Sequence, residues 1–198
     1  MGRGSISVGS VAVDLAEQIF GKLEGCKIIV LGAGDTSEKM ARSFKTRGAR
    51  QIFVSNRSFD RAQVLAQETG GRAIRFEEWE KEFADLDILV TSTSAPHAIV
   101  TLEKIVPVLR HRGDRPLFMI DVAVPRDIDP DVHRLDGVYV YDLDALQAMA
   151  ERSMEARKQE VAGGDRLIAK HVTEFQHWLE KSANLMTAPG ACLACEAD

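Results

Sequence analysis

The stretch Lys27–Glu38, KIIVLGAGDTSE, decides the fold. Its first five residues, Lys27–Leu31, form a short, largely β-branched run of the kind that makes a strand buried on both faces of a parallel sheet. Gly32-Ala33-Gly34 then turns the chain into a helical pattern that opens at Asp35 and continues to Arg47, where Gly48 ends it. Gly32 allows the tight turn, and Gly34 lets the backbone approach a pyrophosphate resting on the positive end of the helix. Asp35 and Thr36 open that helix. Ser37 takes the place of the usual third glycine, where a small residue still permits close packing of helix on sheet. The competing reading is a tight strand–helix turn in an α/β protein that binds no nucleotide.

Working outward, the same alternation repeats. Strands are expected at 51–55, 73–75, 87–91, 117–122 and 138–141, and helices at 59–69, 77–84 and 101–110. Such alternation predicts an α/β fold, a doubly wound parallel sheet of the Rossmann type covered on both faces. Upstream, Ser10–Phe20 has helical spacing with Ser10 as its expected N-cap, and Met1–Gly4 reads as a leader outside the fold. After Tyr141 no strand pattern survives. Two apolar stripes, Leu143 to Met154 and Ile168 to Leu179, flank Gly163-Gly164, where a kink or break is expected. A helical tract of about 40 residues would span roughly 60 Å, which favours an extended arm over a helix folded back on the sheet. The expected organisation is therefore a linker and helix over 1–25, a nucleotide-binding domain over 26–142, a helical arm over 143–184 and a disordered tail over 185–198. A chain cut after Asp142 is expected to keep its sheet.

Composition narrows the function. Thirty acidic against 25 basic residues leave a net charge of −5, which argues against broad binding to a phosphate backbone. No apolar run approaches the roughly 18 residues needed to span a bilayer, and no signal peptide is visible, so a cytoplasmic protein with no membrane partner is expected. The three cysteines build no disulfide framework. Cys26 precedes the first strand and so falls at the edge of the sheet away from a cofactor. Cys192 and Cys195 form a C-x-x-C without a second pair, and His171 and His177 lie on the arm; no metal is expected.

The second strand ends in Asn56-Arg57-Ser58, with Asn56 placed 22 residues after Gly34. An NAD-binding fold carries a ribose-binding acid near that point, whereas here an arginine follows. A guanidinium binds the 2′-phosphate of NADP bidentately where a carboxylate would repel it. Asn56 and Ser58 add hydrogen-bonding capacity, and Arg61 lies one helical turn beyond Arg57. The alternative for Arg57 is an exposed helix-start arginine. The fourth strand runs into Thr91-Ser92-Thr93-Ser94-Ala95-Pro96-His97, a polar loop at the edge where ligands lie, suited to a cofactor's ribose and nicotinamide. His97 there is either a plain loop residue or a proton donor. The fifth strand ends in Asp121-Val122-Ala123-Val124-Pro125-Arg126-Asp127. Ala123 is a candidate cofactor contact, and Arg126 either pairs with Asp127 or meets an anionic substrate.

Together these segments resemble the glutamyl-tRNA reductase family. The resemblance rests on SVGSVAV at 7–13, the Gly32-Ala33-Gly34 turn, Ser55-Asn56-Arg57-Ser58, Ala95-Pro96-His97, the run Ile120–Pro130 (IDVAVPRDIDP) and YVYDLDAL at 139–146. Its most specific part is Val-Pro-Arg-Asp-Ile-Asp-Pro, because the Gly-x-Gly and Asn-Arg-Ser elements recur in shikimate dehydrogenase-like proteins. The resemblance implies an enzyme of tetrapyrrole (porphyrin) biosynthesis in which an N-terminal domain takes the glutamyl group from its tRNA as a cysteine thioester. NADPH held by the middle domain reduces it to glutamate-1-semialdehyde, and a spinal helix leads to a dimerisation domain. This chain matches the middle domain and the helix over about residues 7–183. It is expected to be inactive alone, to need a cysteine-bearing catalytic domain or separate polypeptide, to meet glutamyl-tRNA only in a full-length enzyme, and to offer its arm for a homodimer. The acidic-Met-Gly run usual after the second glycine is altered here to Asp35-Thr36-Ser37. A shikimate dehydrogenase-like NADP oxidoreductase and a non-catalytic scaffold protein are the alternatives.

Overall fold

The computed structural model describes residues 7–187, with side chains described for residues 7–179. Helix α1 spans Val8–Phe20, two residues earlier than the periodicity suggested. Its cap is Ser7, not Ser10. The Ser7 hydroxyl accepts the Ser10 N–H at 3.2 Å while Ser10 Oγ accepts the Ser7 N–H at 2.8 Å, so Ser10 is the third residue of a reciprocal capping box. The helix buries Val11, Ala12, Val13, Leu15 and Ala16, which makes it part of the core rather than a lead-in to it.

Six strands follow: β1 Lys27–Leu31, β2 Gln51–Asn56, β3 Arg72–Arg75, β4 Ile88–Thr91, β5 Leu117–Asp121 and β6 Val138–Asp142. All pair in parallel, in the order β3-β2-β1-β4-β5-β6. That is the doubly wound arrangement, whose strand order reverses between β1 and β4. Alternation along each strand sorts side chains between two cores. Ile28, Val30, Ile52, Val54, Ile88, Val90, Phe118 and Ile120 face α1, α2 (Asp35–Thr46) and α3 (Phe59–Thr69). Ile29, Leu31, Leu89, Leu117 and Met119 pack instead with Trp79, Phe83, Val100, Ile105 and Val132. Ile105 belongs to α4 (Leu102–Leu109), and the other side chains come from loops and two 3-10 segments, Trp79–Asp85 and Pro130–Arg134. The short helix expected at 77–84 is thus a 3-10 segment. Buried Arg112 holds it in place, donating to the Phe83 carbonyl at 2.8 Å and to that of Pro116 at 3.0 Å.

Helix α5 runs from Leu143 to Thr187 and continues through Gly163 and Gly164, so the expected break does not occur. Neither glycine has a neighbour that a side chain would strike, and the intact ladder absorbs their low helix propensity. The chain divides into two units, the first ending at Glu151 and the second beginning at Arg152. The first turns of α5 therefore belong to the sheet domain, where Leu146 and Ala150 are buried in the core with α1. The domain boundary, expected at Asp142, thus falls within α5, after Glu151. Residues 185–187 are helical, and 188–198, with Cys192 and Cys195, lie outside the described residues, as does the leader Met1–Gly4. Among the described residues no helix is long and apolar enough to cross a membrane.

Candidate functional site

The turn after β1 is built around Gly32. Its φ is +109°, and a Cβ there would lie 2.4 Å from the Ser92 carbonyl oxygen, so both backbone conformation and space require glycine. Its N–H donates to Ser55 O of β2 at 2.8 Å, and Ser92 N–H donates to Leu31 O at 2.9 Å. The glycine is thus pinned where the ends of β2, β1 and β4 converge. Gly34 is the N-cap of α2, and no side chain caps that helix. Nothing lies within 4 Å of where a Gly34 Cβ would stand, so the first turn opens onto free space. An uncapped helix N-terminus beside open space presents unpaired N–H donors and the positive end of the helix dipole. Asp35 and Thr36 are exposed on that turn. Ser37 is fully buried beneath it, with Oγ unpartnered and 3.0 Å from the position a Gly32 Cβ would take. Its work is packing.

Across the turn lie the cations. Arg57 follows β2, and Arg61 stands on the first turn of α3; both are exposed. They line one cavity of about 240 Å³ with Gly32, Ala33, Gly34, Asn56 and the loop Ser92-Thr93-Ser94. The structure therefore brings together eight of the residues picked from sequence. Asp35, Thr36, Ser37, Ser58, Thr91 and Ala123 are not among those lining this cavity. Asn56 Nδ2 donates to the Ser58 carbonyl at 3.1 Å, bracing the loop that carries Arg57. Ser94, part of the polar loop picked from sequence, also lines it, and one further lining residue, Phe76, went unnoticed in the sequence. Phe76 directly follows β3, whose Arg75 is in register with Asn56, and that pairing could be assigned only once the strand order was known.

On the far side of β1 the site rests on two buried aspartates at the end of β5. Asp121 accepts the Thr91 hydroxyl at 3.0 Å, the Ala123 N–H at 3.1 Å and the Ile128 N–H at 2.9 Å. Thr91 and Ala123 are buried and committed to this network. Asp127 accepts both the N–H and the hydroxyl of Thr93, at 2.8 and 2.5 Å. Burial raises the Asp127 pKa above the ordinary carboxylate value; the two Thr93 hydrogen bonds and the Arg57 charge oppose the rise, and Asp121 adds to it. The pairing of Arg126 with Asp127 allowed by their adjacency does not form. Arg126 instead reaches Asp142 Oδ2 at 2.5 Å, because neighbouring residues of this loop face opposite ways, one to solvent and one inward. His97 is exposed on the preceding loop.

Cys26 stands at the opposite edge of the sheet. It is buried, and burial followed by the charge of Asp87 pushes its thiol up to about 11, with Arg115 pulling the other way. On α5, His171 pairs with Glu174 at 3.2 Å. Among the described residues no group of three or more His, Cys, Asp or Glu is placed to hold a metal ion.

Comparison with known proteins agrees with this fold. The family described as shikimate / quinate 5-dehydrogenase matches residues 14–149. A glutamyl-tRNA reductase from Akkermansia muciniphila is 47% identical over 172 residues, covering 87% of this chain and 51% of that protein. Another, from Trichlorobacter lovleyi, is 46% identical over 88% of this chain and 40% of its own length. The chain thus spans about half or less of these curated relatives. Among solved structures, glutamyl-tRNA reductase from Methanopyrus kandleri superposes with a TM-score of 0.78 at 36% identity, covering 91% of this chain and 45% of that one. The nucleotide binding domain of glutamyl-tRNA reductase from Thermoplasma volcanium shares the fold with a TM-score of 0.60 at 20% identity, over 78% of this chain and 99% of that chain.

Proposed function

The chain belongs to the shikimate / quinate 5-dehydrogenase family and matches the nucleotide-binding part of glutamyl-tRNA reductases, and from that premise we propose that it binds NADPH for the reduction of a glutamyl thioester to glutamate-1-semialdehyde. One observation carries the reading. Two exposed arginines, 57 and 61, share a cavity with an uncapped helix N-terminus at Gly34 and a turn that tolerates only glycine at position 32. The open space at Gly34 fits a pyrophosphate held by backbone N–H groups. Arg57 and Arg61 fit a 2′-phosphate, which NADH does not carry.

When bound, the cofactor supplies hydride. The residues of this chain hold it: Gly32-Ala33-Gly34 and the first turn of α2, Asp35 to Ser37, form the cradle for its phosphates. Asn56 and Ser58 shape the loop that presents Arg57, with Arg61 behind it. Thr91, Ser92, Thr93 and Ala123 build the side toward the nicotinamide, two of them from within the Asp121 network. The thioester does not form on Cys26, a buried neutral thiol on the wrong edge of the sheet. A cysteine carried by another domain or polypeptide must supply it, and glutamyl-tRNA is met in that larger assembly. The reading includes a homodimer through α5.

Calorimetric titration with NADPH and, in parallel, NADH tests the proposal. NADPH is expected to bind at least about tenfold more tightly, the discrimination of one charge-assisted phosphate contact. Arg57→Ala should remove most of that difference while leaving NADH affinity in place. Equal losses for both cofactors would count against the 2′-phosphate assignment. Reduction of dehydroshikimate by the chain alone would favour the family's other namesake activity.

A further inference from the structure

Asp127 is a charged group with no direct part in the chemistry just described, and it is 0% exposed. Burying a carboxylate is costly unless its oxygens are satisfied. Here the satisfaction is specific. Oδ2 takes the Thr93 N–H and Oδ1 the Thr93 hydroxyl, whose oxygen in turn accepts the Ala95 N–H at 3.2 Å. The Asp127 carbonyl accepts the N–H groups of Ile99 and Val100 at 2.8 and 3.0 Å. A single residue after β5 thus holds both ends of the segment Thr93–Val100 that follows β4.

The segment so held lines the cavity through Thr93 and Ser94. Strand order says which half of the cavity this is. Arg57 follows β2 on one side of β1, and Thr93 follows β4 on the other. A dinucleotide laid across that reversal point places its adenosine half over β2 and its nicotinamide half over β4. With its N–H and hydroxyl proton both engaged by Asp127, Thr93 presents a fixed surface and no donor.

Resting on the NADPH reading above, we propose that Asp127 is a positioning residue that fixes Thr93 as the floor of the nicotinamide-ribose half of the cavity. Its contribution to binding is preorganisation. The segment is ordered before the cofactor arrives, so binding does not carry that entropic cost.

The test compares NADPH with 2′,5′-ADP, which keeps the adenosine half and the 2′-phosphate but has no nicotinamide. Both are titrated calorimetrically into the whole chain. Asp127→Ala and Thr93→Val should each weaken NADPH about tenfold, equivalent to about 1.4 kcal/mol. Affinity for 2′,5′-ADP should stay within about twofold, the scatter expected for an independent site. Asp127→Asn, which keeps an acceptor for the Thr93 N–H, should lie within about threefold of wild type for NADPH. Thr93→Val keeps the side-chain volume, so the result stands even if Asp127→Ala does not fold. Unchanged NADPH affinity in Thr93→Val, or equal loss of both ligands, overturns the proposal. A wild-type chain that binds neither ligand overturns the cofactor reading itself.

Discussion

Cys26 and Gly32 stand at opposite ends of β1, and the contrast between them shows how this fold divides structure from chemistry. Cys26 is a small buried residue whose Sγ lies 3.8 Å from the Lys22 carbonyl, with Asp87 close enough to disfavour a thiolate. A thiol raised to about 11 stays neutral and unreactive where a catalytic cysteine must ionise. Its linkage to stability has a definite sign. The unfolded chain ionises this thiol near pH 8.5, before the folded chain does, so stability falls as pH rises from about 8.5 toward the folded value. Two results are expected: peptide mapping finds Cys26 unlabelled by iodoacetamide in the native protein at about pH 8 and labelled once urea unfolds it, and Cys26→Ala flattens the alkaline loss of stability measured by urea titration. Rapid labelling of Cys26 itself in the native protein would show an accessible thiolate and reopen the question of its role. Gly32 has the opposite character, since its lack of a side chain leaves room for the Ser92 carbonyl.

At the scale of elements, periodicity made the strands legible. A buried parallel strand is a local apolar run, and β1, β4 and β5 appear as such, whereas β3, RAIR with no buried residue, was legible only from its place in the alternation. The β1–β2 side of the site was equally legible, because Gly32, Gly34 and Arg57 follow their strands directly in sequence. The β4–β5 side was not, for Thr93 and Asp127 are 34 residues apart and meet only when two loops pack. Of the two roles left open for Arg126, adjacency to Asp127 did not decide it, since Asp142 pairs with it instead, and spacing misled at Ser10, because the reciprocal bonds make Ser7, three residues earlier, the cap. The largest miss was the end of the domain. Leu146 is 0% exposed and Ala150 8%, both in the core shared with α1, α2 and α3, and Leu143 and Met149 pack against it. Truncation after Glu151 should therefore leave the melting temperature within a few degrees of wild type, whereas truncation after Asp142 should cost at least about 2 kcal/mol, the burial of one leucine. Thermal unfolding of the two fragments decides it. Equal stability would place the start of α5 outside the cooperative core.

For the molecule as a whole, the second unit raises a different question from the first. From Arg152 on, α5 leaves Val161, Ile168, Val172, Phe175 and Leu179 each 45–62% exposed. Val161, Ile168 and Phe175 are spaced by seven, and Val172 and Leu179 fall four residues after Ile168 and Phe175, so together they form one heptad seam. Asp165 occupies the corresponding position after Val161, a polar interruption that costs stability and restricts register. A lone helix gains little from such a stripe, while two copies packed along it would bury five large side chains each. This is the physical content of the proposed homodimer. Sedimentation equilibrium of the full chain should yield a reversible dimer, and the fragment ending at Glu151 should sediment as a monomer with the same NADPH affinity. Replacing Ile168 and Phe175 together by Lys should make the full chain monomeric without lowering its melting temperature, since neither side chain is buried in the first unit. A full chain that is monomeric at all accessible concentrations would remove α5 self-association from the reading and leave the cofactor site untouched.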